Sequence, residues 1–495
     1  MRAVAEQLIP SSRSGKAPIA FARAKTIGNI RRLIWLYLWL LVFEGTFRKW
    51  IVPQLSSPLL LVRDPVVIAI YVLAIRARIF PQNAWVVTVE ILAILSWITG
   101  IIVMQPYFAL KSVILVTGYG VRSDFLHLPL IFIIPAVFDV EDVKRIGRWM
   151  MIGMIPMALL MAVQFAASPE SFLNVAAGGE GTQMNAGGGK VRPAGFFSFV
   201  SGTVYYASAS AAFLLHAIVA KLSYKPWLLY ASGAALILAL GVSGSRSTVL
   251  AVVLVVVISL AVILLVRPSL VNRFARHLLV VVVLLWAISY LPIFQEGLDI
   301  LWARFTEAAV ENSVMGSLVE RILQPFSEAF VILRWVPLGG HGLGVGTSGG
   351  ASFLTGEATF LLAENEWSRI LLESGPILGL AFILWRTALT LKLGFYSILQ
   401  VRAGNTLPLF LFSAAMFLVL QGTFGQPTSL GFAVVLAGLC LAARPRESVA
   451  SEEDHSNSEI SPKSAPLRPR RVSAYAERLH IPGARRLPHH GSADR

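Results

Sequence analysis

Residues 248–266 (TVLAVVLVVVISLAVILLV) run without one charged side chain. About 20 apolar residues span the hydrocarbon core of a bilayer as a helix. Runs of this kind recur along the 495-residue chain, at 33–52, 65–77, 84–104, 124–138, 148–166, 197–220, 226–242, 248–266, 277–292, 370–388, 406–421 and 427–443. They predict an all-α polytopic membrane protein of about 12 transmembrane helices, because lipid leaves only helices and closed barrels with satisfied backbones. A barrel would show alternating strands of about 10 residues instead. Composition excludes two further classes. Charged residues make up 14% of the chain, too few for an ordinary soluble enzyme, and 56% are hydrophobic, too many for a disordered one. The single cysteine, Cys440, excludes an intrachain disulfide and a cysteine cluster for zinc or iron–sulfur.

The net charge of +15 is unevenly placed. Residues 1–32 carry +6 and residues 444–495 carry +3, so the two tails hold +9 of it. Tails flanking an apolar body read as cytoplasmic anchors beside anionic lipid and not as a nucleic-acid stripe. The loops agree. Arg76 and Arg78 follow the second span, and Lys144, Arg145 and Arg148 follow or open the connection after the fourth. Lys221 and Lys225 follow the sixth, and Arg267, Arg273 and Arg276 the eighth. Arg386, Lys392 and Arg402 mark the tenth, and Arg444 and Arg446 the twelfth. Basic exits after every even span are the positive-inside pattern with both termini cytoplasmic.

The chain then divides into a basic cytoplasmic tail (1–32), nine spans (33–292), a large periplasmic loop (293–369), three more spans (370–443) and a Ser/Pro/Arg-rich disordered cytoplasmic tail (444–495). Residues 105–122 are apolar but Gly-punctuated. They are expected as an interfacial or re-entrant helix on the outer side, since a full span there would invert the topology. The outer face also carries a Gly-rich loop at 167–196. The large loop holds four Lys/Arg and nine Asp/Glu. Its first half has helical spacing, and its second half, VPLGGHGLGVGTSGGASFLTGEA, reads as a Gly/Ser/Thr loop.

A charged residue inside a span costs about 2.5–3.5 kcal/mol on insertion scales, so each calls for a reason. Arg246, in the tight turn GVSGSRSTVL, faces outward, where the positive-inside pattern supplies none. Ser243, Ser245 and the amides of that turn are placed to join it in gripping an anion. Snorkelling to the headgroups is the plainer reading. Arg192, in KVRPAGFFSF, reads either as a site residue or as an interfacial anchor, and Lys190 as a solvated loop charge. Arg122 lies near Asp124 and His127, and a local ion pair competes with a site. Glu44 and Arg48 stand four apart on one helix face, and Arg63 precedes Asp64; both read as neutralising pairs. His216 is expected as a satisfied buried polar group and His341 as a solvated loop residue or a base. Glu364, Glu366, Arg369 and Glu373 cluster at the junction LLAENEWSRILLESGPILGL, either as local salt bridges or with a glutamate as general base for an acceptor hydroxyl.

AGGGK lacks the Ser/Thr that a phosphate loop needs after its lysine, and GHGLGVG lacks the strand–helix frame of a dinucleotide fold. No HExxH occurs and the eight histidines are scattered, so no metal site is expected.

The order of RPAGFFSF, SGSRS, GLGVG and ENEWSRILLESGPILGLAF along a twelve-span body with a large loop after the ninth resembles the O-antigen ligase/polymerase superfamily. The resemblance covers about residues 30–443. It implies a GT-C-like glycosyltransferase of the bacterial inner membrane, transferring a glycan from undecaprenyl diphosphate to an acceptor hydroxyl without metal or other cofactor. A polysaccharide chain-length regulator is an implied partner. Carried onto this chain, the arginines that hold the diphosphate are Arg246, Arg192 and Arg122. Ligases of this family place a histidine just before the junction asparagine. Here Glu364 stands before Asn365, and His341 is out of register. That favours a repeat-unit polymerase for O-antigen or exopolysaccharide, with Glu364 or Glu366 as base. A transporter or flippase of lipid-linked oligosaccharide also needs charges in a cavity, but not a long outer loop. A non-enzymatic assembly or sensor protein would use that loop as its binding surface.

Overall fold

The computed structural model describes residues 16–220, 224–271, 282–283, 286, 289–290, 292–307, 314–356 and 360–444. The expected ninth span lies largely outside them, as do residues 1–15 of the first tail and nearly all of the last.

The described chain is a helical membrane protein. Eight helical stretches are long and apolar enough to cross a bilayer: Arg23–Ile51, Pro53–Arg76, Ala84–Met104, Leu110–Val137, Val140–Ala166, Val200–Val219, Arg246–Val266 and Glu366–Arg402. Three shorter apolar helices, Pro226–Val242, Leu407–Gln421 and Pro427–Ala442, fall where the seventh, eleventh and twelfth spans were expected. The last two are almost wholly buried. The burial gradient separates centre from rim. The window of Val200–Val219 is 83% buried, whereas that of Arg246–Val266 is 22% buried and turns its Val and Leu side chains outward.

Residues 105–122 depart from the re-entrant reading. Helix Leu110–Val121 passes through a π-helical turn at Arg122–Leu126 and on into Leu130–Val137, making one stretch of 28 residues. Only 105–109 form the turn from the preceding span. The polar RSD of 122–124 falls at the expected boundary between the outer helix and the fourth span, yet all three residues are buried inside the stretch. Their cost is met from elsewhere in the fold. Arg122 donates to Asp64 at 2.8 Å and Asp124 accepts from Arg369 at 2.6 Å. The expected outer helix and fourth span are one element.

The helix Glu366–Arg402 is broken at Gly375, whose φ of 74° is closed to most side chains. Pro376 follows and has no N–H for the carbonyl of Leu372. The Gly-rich loop repairs the break: His341 N donates to Leu372 O at 2.7 Å and Gly342 N to Glu373 O at 3.1 Å. Backbone groups freed at membrane depth are tolerated only when another part of the protein satisfies them. GHGLGVG is therefore a splint for a broken helix.

Candidate functional site

The Gly-rich loop after Ala166 folds into a small antiparallel hairpin, Asn185–Gly187 against Lys190–Val191. Arg192 leaves it, its amide donating to Met184 O at 2.8 Å. The next residues are held from three sides. Gln164 accepts from Gly195 N at 2.9 Å, Lys49 donates to Gly195 O at 2.6 Å, and Arg48 donates to Ser198 Oγ at 3.0 Å. Lys49 is buried, and its ammonium also lies 4.1 Å from the centre of the Trp50 ring.

Against this hairpin lies the turn Ser243–Ser245, with Arg246 opening the helix Arg246–Val266. A Cβ on Gly244 would stand 2.9 Å from Ala186 Cβ and 3.8 Å from Arg192 Cγ, so the turn and the hairpin are in direct contact. Ser243 Oγ bonds Leu240 O and accepts from Ser245 N, which fixes the turn. Both serines are buried, and the Ser245 side chain makes no cap bond. A third element closes the corner. Arg304, on helix Pro292–Glu307, donates to Ala186 O at 3.0 Å, and its own carbonyl accepts from Arg246 Nη1 at 2.9 Å. This helix reaches the turn because Gly297 lies flat on Gly241, where any Cβ would collide with the Gly241 carbonyl. Arg304 is seven residues, two turns, further along the same face. Lys190 is not solvated as expected but bridges to Glu296 of that helix at 3.2 Å.

Arg192 and Arg246 thus lie on the two segments that meet at Gly244, and Arg304 joins them there. Arg122 is not in this corner. It pairs with Asp64, donates to Leu60 O at 2.6 Å, and lies over the Tyr119 ring. Arg63 does not pair with its neighbour Asp64 but with Glu44 at 3.2 Å, and it also donates to Pro427 O. Asp64 takes Arg122 and His127 instead. The expected pair Glu44–Arg48 is present at 3.6 Å. His216 is satisfied by Thr406 Oγ1 at 3.1 Å.

The junction glutamates separate. Glu366 is buried and accepts from Arg369, from Arg386 at 2.8 Å and from Phe424 N at 3.0 Å. Arg386, expected as an exposed exit cation, is fully buried in mid-helix. Arg369 is the hub, meeting Asp124, Glu366 and Glu373. Glu373 also accepts from Gly346 N at 2.8 Å. A carboxylate with this many fixed donors is an anchor; a base needs a lone pair open to a hydroxyl. Glu364 is exposed and keeps that freedom. His341 is exposed at the splint, its amide committed to Leu372 O. Beside Glu364, Asn365 Nδ2 donates to Glu328, which also accepts from Ser368 Oγ at 3.4 Å. Glu328 comes from helix Val314–Ile332 and is only partly buried.

Sequence reasoning missed Arg304 and Glu328. Each reads as one more surface charge on a helical loop segment, and only tertiary contact links them to Arg246 and Asn365. The one signal for Arg304 was Gly297, a helix-weakening residue that marks a close approach.

No protein-family model matches the sequence, and no curated protein is detectably similar to it.

Proposed function

We propose that this chain is a GT-C-like, metal-independent glycosyltransferase that polymerises or ligates a glycan carried on undecaprenyl diphosphate. On this reading it lies in the bacterial inner membrane with both termini cytoplasmic and the 293–369 loop periplasmic. The observation that carries the reading is the gathering of Arg192, Arg246 and Arg304 around Ala186 and Gly244. A glycan leaves undecaprenyl diphosphate when an acceptor hydroxyl attacks the anomeric carbon. The C–O bond to the diphosphate breaks, the pair of electrons stays on the phosphate, and the hydroxyl proton passes to a base. Charge grows on the leaving diphosphate, and fixed guanidiniums matched to phosphate geometry stabilise it. The base is assigned to Glu364, the open carboxylate at the junction, with Asn365 and Glu328 beside it. The lipid bilayer and a chain-length regulator are the proposed partners, with no role for nucleic acid.

The test is reconstitution of the purified chain with a defined lipid-diphosphate glycan and acceptor. The expected result is an elongated or transferred glycan with release of undecaprenyl diphosphate. Movement of intact donor across the vesicle without a new bond would replace this reading with a flippase. Reporters in the 293–369 loop and at Ser451 should read periplasmic and cytoplasmic, and a periplasmic Ser451 would overturn the orientation.

A further inference from the structure

We infer that the segment Leu323–Leu338 is an in-plane membrane anchor, seated in the lipid headgroup region and not standing in water. Leu323 and Phe330 are seven residues apart on helix Val314–Ile332 and share one face, which Val331 widens. Phe330 is 69% exposed. The chain leaves the helix through Trp335 and Leu338, which are 59% and 75% exposed. The adjoining face is already used: Phe326, one turn from both Leu323 and Phe330, packs edge-on to Trp367 at 4.6 Å, and Ala329 is buried. The exposed apolar face therefore has no partner among the described residues, and a face of this kind in water is a liability.

What covers it follows from where it joins the rest of the protein. Gly339 lies against Val103 and Thr99, and Gly342 against Met104, on the last turns of the membrane helix Ala84–Met104. That helix shows Ile94, Ile98 and Ile102 outward, the apolar surface of a span. Leu338 and Trp335 continue this surface past its end, together with exposed Tyr107 and Leu110 of the adjoining turn and helix. The occupant is then the same solvent, lipid. Trp and Tyr prefer the interface, and exposed Arg334 is placed among them to reach phosphate. An amphipathic helix in this plane buries its apolar face about 5–10 Å into the headgroup/acyl boundary. Glu328, on the flank of the same helix, and Asn365, which donates to it, would sit at headgroup depth, where a lipid-linked substrate presents its polar end.

The test uses spin labels in bilayer nanodiscs. The lone Cys440 is replaced (Cys440→Ser), and single cysteines are placed at Phe330, Val331 and Trp335. Ile94→Cys serves as lipid control and Glu180→Cys as aqueous control. The expected result is an oxygen-to-nickel-chelate accessibility ratio several-fold above the Glu180 label and approaching the Ile94 label. Ratios equal to Glu180 overturn the proposal in favour of a water-exposed loop. Labels shielded from both relaxants overturn it in favour of cover by protein. A second measurement keeps the native cysteine. Quenching by brominated phospholipid should fall in Trp335→Phe relative to the parent chain, and unchanged quenching would count against the anchor.

Discussion

Two regions of this protein hold arginines at membrane depth or at its edge, and they hold them differently. In the interior, Arg369 and Arg386 meet Asp124, Glu366 and Glu373, every one of them buried. At the corner formed by the 185–192 hairpin and the 243–246 turn, the bonds of Arg246 and Arg304 described above run to backbone carbonyls. A carboxylate neutralises a guanidinium, whereas the carbonyls of Asn185 and Ala186 orient Arg304 without supplying a formal charge. Buried pairs repay their desolvation only when complete, so the interior network is architecture that ties helices 110–137 and 366–402 to the turn at Phe424. An arginine oriented in this way suits the anion-binding role proposed for the corner. The lesson is that the kind of acceptor each charge meets, and not the count of charges in spans, separates the interior scaffold from the proposed site.

Breaking the interior network should have the largest effect. Arg386→Ala leaves Glu366 buried without its second cation and costs about 3–5 kcal/mol. The expected outcome is loss of monodisperse folded protein on detergent chromatography, and a normal elution profile with unchanged melting would show that the network is dispensable. At the corner the order reverses. Arg246→Ala and Arg246→Lys should both abolish long-chain polysaccharide in cells while membrane insertion and melting temperature stay near those of the parent. Full chain length in Arg246→Lys would remove the bidentate phosphate argument.

An intermediate effect tests how the corner is assembled. Gly297→Val forces helix Pro292–Glu307 off Gly241 and displaces Arg304 from Ala186. We expect product formation in the reconstituted assay to fall by about tenfold or more, as a misplacement of about 1 Å can cost a hundredfold. Intact activity with a folded protein would mean that Arg304 plays no part. The smallest structural effect belongs to Glu364→Gln. As an exposed residue it should shift stability by less than about 0.5 kcal/mol, yet the transfer rate should collapse if Glu364 is the base. Retained rate in Glu364→Gln with loss in Glu328→Gln would move that role to Glu328.

Much of this was legible in the sequence. The span Ala84–Met104 falls on its expected residues, and the Glu366/Arg369/Glu373 spacing declares a salt-bridged face. These are local facts: apolar runs need lipid, and residues three or four apart on a helix touch. Arg246 stands out in the sequence as an outward cation without a topological reason, and Arg192 reads either as a site residue or as an interfacial anchor.

Long-range partnership was not legible. Arg122 and Asp124 read as a local pair, because their actual partners Asp64 and Arg369 stand 58 and 245 residues away. GHGLGVG looked like an open loop until the broken helix at Gly375 claimed its amides. The sequence by itself determined that the chain enters a membrane, roughly where it crosses, and which charges are costly there, since those follow from hydropathy and helix periodicity. Only the tertiary structure decided which of those charges meet one another and which elements bring Arg192, Arg246 and Arg304 to one corner. That choice rests on contacts between residues hundreds of positions apart, and no local pattern records them.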